Sequence, residues 1–243
     1  MKKSKLPFLF ILLPTLFSCG NVNLMTYKEF LSFQNDLSYD FSNITTYTFN
    51  SNTQIKGEDD NSPIVKTSER LVYDLSDDLN KFYVGYDNKT DFIYSGGSSV
   101  IPSVYQGLET KITNDDKINV FFGENFSETK TFDYIAESKL FIKENIDFDS
   151  YFISVKDFES IIKNDKKIVF YEKNDLVTIQ YNNFNLNGYY IGGDVEFYNN
   201  GLLKSLNLEV WTPIGSGDEE VYNITNYEIE IEYNKDIVKL YLV

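Results

Sequence analysis

Val195-Glu196-Phe197-Tyr198-Asn199-Asn200-Gly201-Leu202-Leu203-Lys204-Ser205-Leu206 decides how this chain is read. Asn199-Asn200-Gly201 is a hairpin turn, because Asn and Gly accept positive φ at little cost. The flanking runs, 194–198 and 203–211, are its strands. Working outward, 167–172, 176–181, 188–191 and 226–233 also carry strand patterns. Glu228 to Tyr233 alternates acidic with apolar residues, the signature of a strand with one wet face and one buried face. Ahead of this series Ser154 and Asp157 form a helix-start signal, and Phe158, Ile161 and Ile162 form an apolar stripe, so a helix is expected over 155–164.

The first half of the chain repeats that order. Thr26 and Glu29 make a capping box, and Tyr27, Phe30, Phe33 and Leu37 follow at helical spacing, which predicts a helix over 27–37. Strands are expected at 46–56, 66–75, 81–86, 90–95, 118–122 and 129–135. Turns are expected at 58–63, 76–80 and 87–89, and a looser stretch at 96–107. The fold class is therefore α+β and mostly antiparallel β: a curved sheet or half-barrel with two short helices packed on one face. The β-rich domain spans 26–243, and its halves, 26–135 and 150–243, each read as a helix followed by a meander.

This order resembles the lipoprotein-carrier superfamily, the Lol-type carrier fold and its mycobacterial lipoprotein relatives. The local echoes are the helix from Thr26 to Leu37 running into Thr46 to Lys56, and the late hairpin quoted above. The resemblance implies long antiparallel strands curved around an apolar groove that holds acyl chains, closed by helices. It transfers no particular residue.

The amino terminus reads MKKSKLPFLFILLPTLFSCG. Lys2, Lys3 and Lys5 precede an uncharged apolar run of 12 residues from Leu6 to Phe17. A bilayer-spanning helix needs about 20 such residues, so the run fits a signal peptide better. Leu16-Phe17-Ser18-Cys19-Gly20 resembles the bacterial lipobox, in which the Cys thiol takes a diacylglycerol and the chain is cut before it. The resemblance implies a signal peptide at 1–18, lipidation of Cys19, a tether at 19–25, and a position on the extracytoplasmic face of the cell membrane. Phe17 is bulkier than that slot commonly holds.

Charge and composition exclude several classes of function. The 22 basic residues, less three in the leader, leave 19 against 37 acidic ones, a formal charge of −18. Such a domain does not neutralise phosphates, which argues against nucleic acid, and it is repelled by anionic lipid surfaces. The chain has no His and a single Cys, which removes His-based triads, His zinc sites, thiol catalysis and disulfides in the mature domain. One Ala and one Arg against 25 Asn point to the codon bias of an AT-rich genome as the cause.

No P-loop is present: Gly96-Gly97-Ser98-Ser99 lacks the Lys-Ser/Thr ending. The acidic clusters at 58–60, 77–78, 115–116 and 218–220 lack a calcium-loop pattern and read as solvated turns. Neither a catalytic set, a metal site nor a cofactor is expected. The aromatic residues Tyr189, Tyr190, Tyr198, Trp211 and Tyr222 read as strand residues filling a sheet face, with a sugar platform as the alternative. Three functions stay open: a non-catalytic anchored protein binding a lipid-like or apolar ligand, an adhesion or assembly module, and a hydrolase working through paired carboxylates.

Overall fold

The computed structural model describes residues 22–35, 37, 44–56, 64–93, 101–214 and 221–234. The expected signal peptide, the lipobox with Cys19, and the turn at 58–63 lie outside the described residues. The described strands form a single open, curved antiparallel sheet. In chain order the elements are β1 (Asn23–Met25), α1 (Tyr27–Asn35), β2 (Thr46–Lys56), β3 (Ile64–Asp74), β4 (Tyr83–Ile93), β5 (Ile101–Ile112), β6 (Ile118–Glu124) and β7 (Glu128–Phe132). They continue with α2 (Ile135–Asn145), two 3-10 turns (Phe148–Tyr151 and Val155–Phe158), β8 (Ile168–Lys173), β9 (Leu176–Leu186), β10 (Tyr189–Tyr198), β11 (Leu203–Ile214) and β12 (Val221–Tyr233).

The spatial order is β1-β8-β9-β10-β11-β12-β2-β3-β4-β5-β6-β7. The two halves expected from the pattern are thus successive meanders of one sheet, joined where β12 pairs with β2 along Ile224↔Lys56 to Tyr233↔Tyr47. Two segments recross one face. The first is α1, which leads from the β1 edge back to β2 at the centre. The second runs from β7 at one edge through α2 and the 3-10 turns to β8 near the other.

Alternation along the strands fixes which side chains meet these segments. Tyr47, Tyr73 and Val84 sit side by side on β2, β3 and β4, and all are buried. Phe148 stands against Tyr73, Phe152 against Tyr47 and Tyr151 against Phe49, with ring centroids 5.1–5.3 Å apart. Phe141 of α2 packs on Phe122 and Phe132, Phe158 on Phe197, and Phe30 of α1 on Phe170. Buried aromatic rings at this spacing add about 0.5–1.5 kcal/mol per pair beyond their area. The core is this aromatic layer between the sheet and its two covering segments.

Local chemistry accounts for the helix ends. Thr26 and Glu29 make the expected reciprocal cap, with the Thr26 amide donating to Glu29 at 2.6 Å and the Glu29 amide donating to the Thr26 hydroxyl at 3.2 Å. The Thr26 amide, with its hydroxyl adding to the effect, holds the Glu29 carboxyl below its ordinary range. The helix stops at Asn35, two residues short of expectation. Phe30 is fully buried, and Phe33 and Leu37 pack partly against the core.

Several expected boundaries moved. The Ser154–Asp157 capping box exists, but only a 3-10 turn, Val155–Phe158, follows it. The Val155 amide bonds to the Gly201 carbonyl, tying this turn to the β10–β11 hairpin. The second α-helix is instead Ile135–Asn145, directly after a strand that ends at Phe132. Residues 87–89 do not turn: Asp87, Asn88 and Lys89 continue β4, paired with β3 on one side and β5 on the other. The break expected at Gly192-Gly193 is a bulge inside one continuous strand. The loose stretch at 96–107 becomes β5 from Ile101 onward.

Candidate ligand faces of the sheet

Strands of 11–13 residues outrun their cover. On the helix-bearing face, the far ends of β4, β3 and β2 bring Phe92, Val65 and Ile55 into direct cross-strand register. Ile55 is 41 % exposed, Phe92 and Val65 are half-buried, and Tyr227 on neighbouring β12 is 40 % exposed. Thr53, Thr67 and Thr90 lie one step nearer the core, with the hydroxyls of Thr67 and Thr90 3.3 Å apart. This apolar row with its threonine margin continues the core face beyond the helices.

A polar clasp marks the border between packed core and uncovered face. The Tyr86 hydroxyl donates to a Glu69 carboxylate oxygen at 3.0 Å and the Tyr151 hydroxyl donates to the same oxygen at 2.7 Å. Tyr47 donates to the Tyr151 carbonyl at 2.5 Å. Burial is the largest cause pushing the Tyr47, Tyr86 and Tyr151 hydroxyls above the ordinary tyrosine range, and the Glu69 charge adds to it for Tyr86 and Tyr151. All three therefore stay neutral donors. The clasp holds the 3-10 turn Phe148–Tyr151 onto β2, β3 and β4 through the Glu69 carboxylate and the Tyr151 carbonyl.

The opposite face carries a different site. A depression of about 510 Å³ crosses the middle of β11, β12, β2, β3 and β4. Its lining is polar throughout: the carboxamides of Asn52, Gln54, Asn207 and Asn226, with Lys66, Asp91 and Glu228. These share the face opposite the core, because Phe49 and Leu71 of the same strands are buried on the other. Lys89 pairs with Asp91 at 2.9 Å on its rim.

The aromatic residues singled out in the sequence are divided by the fold. Tyr190 and Trp211 are direct cross-strand partners on the open face, and Trp211 is 37 % exposed. Tyr198 instead packs edge-on against Tyr233 and reaches the Ile231 carbonyl. Tyr189 is 46 % exposed on the same face as buried Ile191. The Tyr222 side chain lies outside the described residues.

The acidic clusters within the described residues are turn structure. Asp77 pairs with Lys139 at 2.7 Å, Asp78 accepts from Asn80, and Asp115 accepts from the Thr113 hydroxyl. Asp87 and Glu109 are 7 % and 5 % exposed on the open face. Burial pushes the Asp87 carboxyl up, while Arg70 opposes that. Glu109 pairs with Lys111 at 3.1 Å. Among the described residues no group of three or more Asp and Glu is placed to hold a metal ion, and no helix is long and apolar enough to cross a membrane.

Comparison with protein-family models, curated proteins and solved structures finds no match. The geometry of the chain's own residues is what bears on function. The open-face carboxamides are the part that sequence reasoning missed. Their signal was spacing: Asn52 with Gln54, and Asn226 with Glu228, each share a strand face, but only the strand order brings Asn207 beside them.

Proposed function

We propose that this chain is a membrane-anchored extracytoplasmic lipoprotein, held by acyl chains on Cys19, that binds an apolar or lipid-like ligand and performs no catalysis. The observation carrying the ligand reading is the uncovered row Phe92–Val65–Ile55, flanked by Tyr227, on the same face as the core. Burying such surface contributes about 25 cal/mol per Å². Of the two stripes, Phe30, Phe158 and Ile162 are 0–8 % exposed and packed into the core, and Phe33, Leu37 and Ile161 pack partly against it. An acyl chain would therefore lie on the uncovered end and leave the helices in place.

An anchored adhesion module that pairs through a sheet edge is less well supported. The edge strands are only three and five residues long, and β7 carries Glu128 and Lys130 on its exposed length. Short, charged edges resist strand addition. For a hydrolase reading, Asp87 and Glu109 on the open face are 7 % and 5 % exposed, too closed to meet a substrate.

Two experiments test the proposal. Metabolic labelling with a fatty acid should mark the wild-type chain and not Cys19→Ser; label retained in Cys19→Ser would remove the anchor. Oleate or a short-chain phosphatidylcholine should raise the melting temperature in proportion to the logarithm of its concentration above Kd. Ile55→Glu should abolish that rise. An equal rise in Ile55→Glu would displace the ligand from this face.

A further inference from the structure

The depression on the open face is unlike an ordinary solvated sheet surface in three respects. It spans five adjacent strands, a width of about 19 Å at about 4.8 Å per strand. Four carboxamides face into it from three strands: Asn52 and Gln54 on β2, Asn207 on β11 and Asn226 on β12. Asn is depleted in strands because its side chain competes for backbone hydrogen bonds. Its concentration in the central strands of the sheet runs against local propensity. Third, Trp211 lies on the same face and strand as Asn207, two alternate positions further along, with Tyr190 directly beside it.

These groups define the ligand by chemistry. A carboxamide donates and accepts at once, and so does a sugar hydroxyl. A run of carboxamides therefore matches a polyol better than an anion, which needs donors only. Lys66 is the direct cross-strand partner of Asp91, and Glu228 shares the same lining, so the lining offers no cationic cradle for phosphate or sulfate. The chain's net charge of −15 also repels acidic polymers. The indole of Trp211 presents a large apolar plane with one polar edge, a surface on which the C–H face of a pyranose ring stacks. Its Nε1 donates to Glu209, the direct cross-strand partner of Asn226 in the lining, which holds the ring at the end of the depression.

We propose that this depression binds an uncharged oligosaccharide, with the carboxamides bonding ring hydroxyls and Trp211 stacking on a sugar ring. This site is on the opposite face from the apolar row and does not depend on that row's being a lipid site. The occupant is an oligosaccharide and not a single sugar, because one ring does not bridge β11 to β4.

Trp211 is the sole tryptophan of the chain, so its fluorescence reports directly on the site. The full chain in mild detergent is titrated with maltohexaose, cellohexaose and the hexamer of N-acetylglucosamine. At least one should shift or quench the emission saturably, with calorimetry giving the same Kd. The double variant Gln54→Ala/Asn226→Ala should weaken that binding tenfold or more at an unchanged melting temperature. Trp211→Ala should abolish the calorimetric signal, while Trp211→Phe retains part of it. Absence of emission change and of heat with all three hexasaccharides at millimolar concentration would overturn the proposal. So would undiminished affinity in the folded double variant.

Discussion

Gly193 shows how narrowly one residue fits this sheet. It has φ +115°, and a Cβ there would lie 2.1 Å from the Asn207 carbonyl oxygen on the neighbouring strand. Both the conformation and the close approach require glycine. Gly192, its neighbour, has nothing within 4 Å of an added Cβ and no positive φ. Gly193→Ala should therefore destabilise the protein by about 2 kcal/mol or more, while Gly192→Ala stays within about 0.5 kcal/mol; denaturant melts of the pair separate bulge strain from general loss of glycine. Asp194 follows immediately, with one carboxylate oxygen buried and without a hydrogen-bond partner. Burial raises its pKa above the ordinary 3.8, with Glu196 adding to the effect and Gln180 opposing it. The stability that such a raised group contributes is complete below 3.8 and is lost as pH rises through the folded-state value. At pH 7 the charged form is thus a burden, and Asp194→Asn should raise the melting temperature. The gain should vanish as pH falls toward about 3, where Asp194 is protonated in the folded and unfolded chain alike. A gain independent of pH would assign the effect to packing.

At the scale of elements, α2 shows where sequence patterns stop informing. Its N-cap, Tyr134, is 67 % exposed, has extended backbone angles and provides no side-chain bond to the first-turn amides. Tyr134→Ser keeps the same backbone angles and supplies that bond, so it should stabilise the fold by about 1 kcal/mol, read from chemical denaturation. The missing cap is also why 129–135 reads as one strand: nothing marks the change of period, although Ala136, Glu137, Lys139 and Leu140 are good helix formers. The converse error lies at Ser154, where a capping box starts only a 3-10 turn, and the Val155 amide, which has no partner within a helix, bonds to the hairpin at Gly201. Asp87-Asn88-Lys89 has turn composition, yet pairing on both sides holds it extended, since tertiary contacts outweigh weak local preference. Alternation was the dependable signal, and β2 has the bounds expected of it. The carboxamide site was illegible for a different reason. Among 25 Asn residues set by composition, the three useful ones, Asn52, Asn207 and Asn226, have no distinguishing local mark until β11, β12 and β2 are placed side by side.

The whole molecule carries its excess negative charge on a sheet open on one face. Ion pairs such as Lys89–Asp91 and Lys117–Asp133 are solvent-exposed and contribute little. Net repulsion at −15 should therefore dominate, and the melting temperature should rise with salt as the Debye length falls from about 30 Å at 0.01 M to about 10 Å at 0.1 M. A fall would show that attractive pairs prevail. The β12–β2 seam bears on the order in which the molecule can be made. β2 is among the first strands to leave the ribosome and β12 follows the other eleven, so ten backbone pairings at the centre of the sheet wait for the late-made strand. Until then both meanders end in a long unpaired margin, 11 residues along β2 and 12 along β11. A nascent chain in this state offers two ready templates for wrong partners, including the same margins on a neighbouring copy. For a chain expressed without residues 1–18, which folds as it is synthesised, yield should depend on how quickly synthesis delivers the closing strand, and rare codons placed just upstream of Val221 should lower it without altering the finished protein.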